Sequence, residues 1–272
     1  MRLIEYMKER VNELKNRFLG KDCLIITAGP SLKNACKKKL KKLAKGKVVI
    51  AVKQAIYFMP EIVDIHVIND NNYDIYNYEN SKDSIKVILL KSNSLLSFTP
   101  ECTAFLEYKI NEKTCDWKSC IAKSNNFKIN ESLYKYKRNW GPGIMYELCI
   151  YFPILFNSTK VFFVAWDLGY QNCSIINRFY EKDNFIKKLR NYIFRISPLF
   201  YNKIFVKIEN LTRIILYYLG FKVTLGIPGI TLNEASIIAD SSYYLSKYYS
   251  INGITKYIVS DTSMLHESFK RI

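Results

Sequence analysis

"CLIITAGPSLKN" spans residues 23–34 and runs from four apolar residues through a Thr-Ala-Gly-Pro-Ser turn into a lysine-rich stretch of helical spacing. A short apolar run that ends at a Gly-Pro turn and passes into a helix is the opening unit of a parallel α/β sheet. Such a turn lies at the carboxyl end of its strand, the edge at which open parallel sheets bind ligands. Gly29 there gives the backbone room to approach a phosphate or ribose, and Pro30 stiffens the turn. Ser31 takes an N-cap position on a helix over 32–45, whose amino end favours anions. The stretch serves equally well as a plain strand-to-helix turn, because it lacks the Gly spacing of the dinucleotide fingerprint and the Gly-Lys-Ser/Thr of a P-loop.

The same unit recurs along the chain. "KVVIAV" (47–52), "IVDIHVIN" (62–69), "SIKVILL" (84–90) and "KVFFVAWDLGY" (160–170) read as buried strands, and "KYIVS" (256–260) as the last. Helical spacing marks residues 2–18, stopped by Gly20, then the stretch following the "GPG" of 141–143, then 234–250 and 262–271. Residues 101–138 are poorly periodic, with room for a short strand pair. Strands alternating with helices predict an α/β fold with a doubly wound, mostly parallel sheet covered on both faces.

Residues 171–230 differ in character: ten Lys and Arg interleave with Phe, Tyr, Ile and Leu. This stretch reads as an inserted helical lid or membrane-associating insertion. The expected organisation is therefore a nucleotide-binding domain over 1–170, completed by 231–272, with 171–230 inserted. At 272 residues about three quarters of the unfolded surface can be buried, so core size is not limiting.

The formal charge of +17 points to anionic partners: nucleic acid, a nucleotide, or the anionic face of a bilayer. "KKKLKKLAKGK" (37–47) looks like a nucleic-acid patch but fits the solvated face of a helix as well. Seven cysteines without a C-x-x-C argue against zinc, and with no secretory signal pattern they fit reduced thiols in a cytoplasm. No apolar run reaches the roughly 18 residues of a spanning helix, so any membrane contact is expected to be peripheral, at the inner face.

Candidate site residues cluster at strand carboxyl ends. Asn69 offers a donor and an acceptor to a base or sugar, and Asp70 beside it could bind a metal, though no D-x-D follows and none is required. Gly141 and Gly143 permit close backbone approach before a helix. Asp167 leaves a buried strand, either to contact a ligand or to satisfy loop amides, and Tyr170 follows with a hydroxyl able to hydrogen-bond a departing phosphate.

In their order and spacing, "ITAGPSLK", "VVIAVKQAIYF" with "VDIHVIND", "GPGIMYELCIYF" and "VFFVAWDLGYQN" resemble the bacterial sialyltransferases of glycosyltransferase family 42 and the related pterin pyrophosphokinase-like (MptE-like) proteins. The likeness covers residues 22–170 and, more faintly, 234–272. It implies a Rossmann-like, GT-A-like sheet with a lid and metal-independent transfer from a CMP-activated nonulosonic acid to a surface-glycan or glycolipid acceptor, as in lipooligosaccharide or capsule synthesis. It places Gly29, Pro30, Ser31 and Asn69 against the CMP and Lys53 and Gln54 where the family has a nucleotide-contacting Asn-Gln. Gly143 falls near the donor, and Tyr170 on the tyrosine that stabilises the leaving phosphate. Ala28 stands where the sialyltransferases carry Asn, and Lys53 replaces another Asn. The family's general-base histidine has no counterpart here, and its position falls near Glu234. Glu234 as a substitute base, Asp240 or His266 in that role, and a different or absent chemistry all remain open, as do two other functions: a pterin-type diphosphotransferase and a basic nucleic-acid-binding protein. Homo-oligomerisation is compatible with each, and the transferase reading calls for no nucleic acid.

Overall fold

The computed structural model describes residues 12–69, 85–91, 103–109, 136–137, 145, 149–167, 170–171, 174–175, 189, 192–193, 196–197, 200, 204–220, 232–260, 263 and 265–272. Its main feature is a nine-stranded sheet in which every neighbouring pair is parallel. The strands are β1 (Cys23–Ile26), β2 (Val48–Val52), β3 (Ile65–Asn69), β4 (Ile85–Lys91), β5 (Thr103–Lys109), β6 (Tyr136–Lys137), β7 (Lys160–Val164), β10 (Thr255–Val259) and β11 (Lys270–Arg271). A separate antiparallel ribbon joins β8 (Tyr170–Gln171) to β9 (Ser174–Ile175).

The spatial order is β11-β10-β7-β1-β2-β3-β4-β5-β6. From β1 the chain first steps outward through β2 to β6, then returns to the other side of β1 for β7, β10 and β11. The reversal falls between β1 and β7, where connections leaving neighbouring strands depart to opposite faces and leave a crevice.

Strands buried on both faces lose the polar alternation of a half-exposed sheet, which is why their sequences are continuous apolar runs. The two faces still divide residue by residue. Cys23, Ile25, Val48, Ile50, Val161 and Phe163 join one core cluster, while Leu24, Ile26, Val49, Ala51, Phe162 and Val164 join the other. The first face is covered by the helical residues 12–18, through Leu14 and Phe18, by Cys149–Phe156, and by helix Leu232–Ile251, through Leu245 and Tyr249. The second is covered by helix Lys37–Ala44 and the 3-10 segments after β2. The lysine run of 37–42 is thus the solvent side of a helix that buries Leu40 and Ala44.

Several elements differ from the sequence pattern for local reasons. The helix expected over 32–45 is interrupted: Pro30–Asn34 forms a 3-10 turn, Ala35 and Cys36 are extended, and the helix restarts at Lys37. Strand β3 starts at Ile65 because Pro60–Ile62 takes a 3-10 turn, and β7 stops at Val164 because Ala165 turns to φ 55°. The helix expected after residue 143 is, in its described part, helical at Met145, then a 3-10 turn, Cys149–Tyr151, followed by one helical turn, Phe152–Leu155. No helix forms over the described part of 262–271. Leu265 and Phe269 have helical spacing and are buried, but the Ser263 hydroxyl and the His266 ring accept the N–H groups of Leu265 and Ser268, replacing helical bonds, and the chain enters β11. Within 171–230, Val206–Tyr218 is helical.

Two buried groups give measurable consequences. The Tyr249 hydroxyl donates to the carbonyl of Ile150 at 2.7 Å, tying helix Leu232–Ile251 to the segment before β7. Tyr249→Phe strands that carbonyl, and chemical denaturation should show a loss of about 1–3 kcal/mol. Burial pushes the Cys23 thiol from its usual 9.0 up to about 12, with the Ser158 hydroxyl pulling the other way. An unfolded thiol ionises where the folded one does not, so this contribution is intact below about pH 9 and is lost as pH rises toward 12. Unfolding midpoints measured from pH 7 upward should fall across that window, less steeply in Cys23→Ala.

Candidate functional site

The strand order sets the carboxyl ends of β7, β1, β2 and β3 side by side. Immediately beyond them lie Asp167, the turn Gly29-Pro30-Ser31, the pair Lys53-Gln54, and Asn69 as the last residue of β3. Residues from four separate stretches of sequence thereby line one edge, around the β1/β7 reversal.

At the centre of this edge the turn after β1 is held against the end of β7. Thr27 donates its N–H to the carbonyl of Val164 at 3.0 Å, and its hydroxyl to the carbonyls of Val164, at 3.2 Å, and Ala165. Gly29 then passes so close to β7 that a Cβ on it would stand 2.0 Å from the Ala165 oxygen and 2.5 Å from the Asp167 carboxylate. The glycine has an ordinary φ of −65°, so what it supplies is space rather than a special dihedral angle.

Asp167 is 2% exposed. One carboxylate oxygen accepts the Ser31 N–H at 2.8 Å, and the other accepts the Ser31 hydroxyl at 2.9 Å and the Ser260 hydroxyl. A buried carboxylate is tolerable only with such partners, and bonds to an ionised acceptor are the strong ones. They explain the departure from the expected cap. The 3-10 turn begins at Pro30 with Gly29 as its cap residue, while both donors of Ser31 turn to Asp167. Asp167 positions the turn.

The network continues beyond β10. Arg271 donates to the carbonyls of Ser260 and Ser263 at 3.1 and 3.0 Å, and the Ser263 hydroxyl donates to the carbonyl of Trp166 at 2.7 Å. Sequence reasoning did not single out Ser260, Ser263 or Arg271. The one available signal was the serine closing "KYIVS", at the same strand end as Asp167.

On the other side of the turn, β2 exits into Lys53 at φ 52°, a left-handed conformation costly for a side chain with a Cβ. His66 of β3, fully buried, holds it there: its Nε2 lies 2.8 Å from the Lys53 carbonyl, and since a carbonyl only accepts, Nε2 carries the proton. His66 is a positioning residue that sequence reasoning did not single out. Asn visits this backbone region more readily than Lys does. The adjacent Gln54 side-chain oxygen is buried without a hydrogen-bond partner among the described residues. It is an acceptor matched to an amino or hydroxyl donor.

Tyr170 opens β8, three residues beyond Asp167, at the start of the antiparallel ribbon. Glu234 lies in the first turn of helix Leu232–Ile251. That helix runs antiparallel to β10, with the Lys256 ammonium bonded to the Ser246 carbonyl and the Ser250 hydroxyl near the helix's carboxyl end. Twenty helical residues span about 30 Å and a five-residue strand about 17 Å, so the helix's first turns extend past the carboxyl edge of the sheet. The His266 ring accepts at Nδ1 from the Ser268 hydroxyl at 2.8 Å, and its main-chain N–H donates to the Ser242 hydroxyl at 2.7 Å. Asp240 lies on the same helix as Glu234, and Asp70, Gly141 and Gly143 fall outside the described residues. Among the described residues no group of three His, Cys, Asp or Glu is arranged to hold a metal ion.

Neither a family model nor a curated protein matches this chain.

The contacts around Asp167 can be read by mutation. Gly29→Ala forces a methyl into the Ala165 carbonyl and should lower stability by about 1–3 kcal/mol. Asp167→Asn keeps the shape but turns an amide N–H₂ toward a donor, for a loss of about 1–3 kcal/mol in the same denaturation assay.

Proposed function

We propose that the chain is a metal-independent glycosyltransferase of GT-A-like architecture, taking a CMP-activated nonulosonic acid, sialic acid-like, as donor and a surface glycan or glycolipid as acceptor. It works peripherally at the inner face of the membrane, with 171–230 as its lid. One observation carries the reading: Gly29–Ser31, Lys53–Gln54, Asn69 and Asp167 stand in a row along the carboxyl edge at the β1/β7 reversal, where open α/β sheets take nucleotides. The resemblance to family 42 supplies the donor class.

The acceptor hydroxyl attacks the anomeric carbon of the donor sugar, a C–O bond forms there, and the bond from that carbon to the phosphate oxygen breaks. CMP leaves with the electron pair. Tyr170 donates a hydrogen bond to the departing phosphate as its charge develops, and the acceptor proton passes to Glu234. The Gly29–Ser31 turn and Asn69 carry the nucleotide, Lys53 offers a cation to its phosphate, and Gln54 presents its oxygen to an amino or hydroxyl group. Asp167 keeps the turn in shape.

A ligand that binds only the folded chain raises its unfolding midpoint. CMP should do so, and ATP with magnesium should not. Donor hydrolysis should fall on the order of 100-fold in Tyr170→Phe and by at least as much in Glu234→Gln. Indifference to CMP, or unchanged hydrolysis in both variants, contradicts the assignment.

A further inference from the structure

Fifteen large apolar side chains are exposed among the described residues, and ten of them fall between Leu189 and Leu219. Ile204, Ile208, Leu211, Ile215, Tyr218 and Leu219 are 46–82% exposed. Ile208, Leu211, Ile215 and Tyr218, spaced 3, 4 and 3, gather at 100° per residue into one stripe about 80° wide along helix Val206–Tyr218, with Ile204 and Leu219 just beyond its two ends. Phe205 and Leu216 lie to one side of that stripe and are half-buried, Phe205 packing against the main core. The helix is therefore anchored along another side, and the stripe turns outward. A contiguous apolar face of this kind marks an interaction surface.

Charge selects the occupant. Residues 171–230 hold ten Lys and Arg against three Asp and Glu, in a chain of net charge +17. Two such cationic segments repel each other, which disfavours a second copy, whereas each Lys or Arg near an anionic leaflet adds to the attraction. Thirteen helical residues span about 20 Å, short of the roughly 30 Å hydrocarbon core, so the helix fits the plane of the interface. Tyr218 near its end suits the headgroup level.

We infer that the stripe from Ile204 to Leu219 is a membrane-docking face that sinks into the headgroup boundary of an anionic phospholipid leaflet. The inference rests on the membrane side of the proposed function and not on its transfer chemistry.

The test is co-sedimentation of the full chain with phosphatidylcholine vesicles, with and without phosphatidylglycerol, for wild type and the triple variant Ile208→Ser, Leu211→Ser, Ile215→Ser. Wild type should pellet with the anionic vesicles, less so as salt rises, and stay in solution with neutral ones. The variant alters only exposed side chains, so it should keep its unfolding midpoint and its response to CMP while binding at least tenfold more weakly. Equal vesicle binding by variant and wild type, or no binding by either, overturns the inference. So does a wild-type dimer that becomes monomeric in the variant and ignores vesicles, which would make the face a contact between copies. Vesicle binding without any response to CMP would refute the transferase and leave the docking face standing.

Discussion

The carboxyl edge of this sheet depends on one buried carboxylate. Asp167 comes off β7 with little solvent, and each of its oxygens is answered from another strand end, by Ser31 after β1 and Ser260 after β10. Its described partners are neutral donors rather than a cation, so the charge is held in place by hydrogen bonds. Once Asp167 is set, Ser31 is drawn away from helix capping, Gly29 is pressed against β7, and Pro30 opens a 3-10 turn in place of a longer helix. The β1/β7 reversal then carries a shaped loop with its backbone fixed.

The second constraint on that edge comes from the other direction. A fully buried histidine in β3 holds the carbonyl of Lys53 and with it a left-handed residue at the exit of β2. Strain at a strand exit persists only where surrounding contacts over-determine it. Two loops on adjacent strands are thus each locked by a buried side chain from a third, while the described residues from Leu189 to Leu219 expose ten large apolar side chains to solvent. On the proposed transferase reading, the locked edge would hold the nucleotide and the exposed helical stretch would meet a surface.

Much of the fold was legible in the sequence because β1, β2 and β7 are sandwiched between two layers and so read as unbroken apolar runs. The alternation of these runs with helical spacing was enough for a parallel sheet. What the sequence could not disclose was non-local. Nothing in "AGPSL" says that its serine answers an aspartate 136 residues away, or that this aspartate also takes a hydroxyl 93 residues further on. The misread helix at 262–271 fails for the opposite reason: side chains two residues away capture backbone N–H groups that a spacing rule assigns to a helix. The candidate site was legible as a set of strand ends, and the division of labour within it, with Asp167 as support and the Gln54 oxygen awaiting a donor, became visible only with the strands in place.

Because the turn after β1 takes its shape from Val164 to Asp167 and, through that aspartate, from Ser260, a chain emerging from the ribosome cannot finish the turn when it makes it. Residues 27–31 must wait through most of synthesis for the strands that complete them, and loop-closure entropy over such separations is offset only late. The ligand edge therefore matures last, after the strands it crowns have paired. Any nascent or truncated form ending before residue 260 would have much of the sheet and an unfinished edge until the last strands dock.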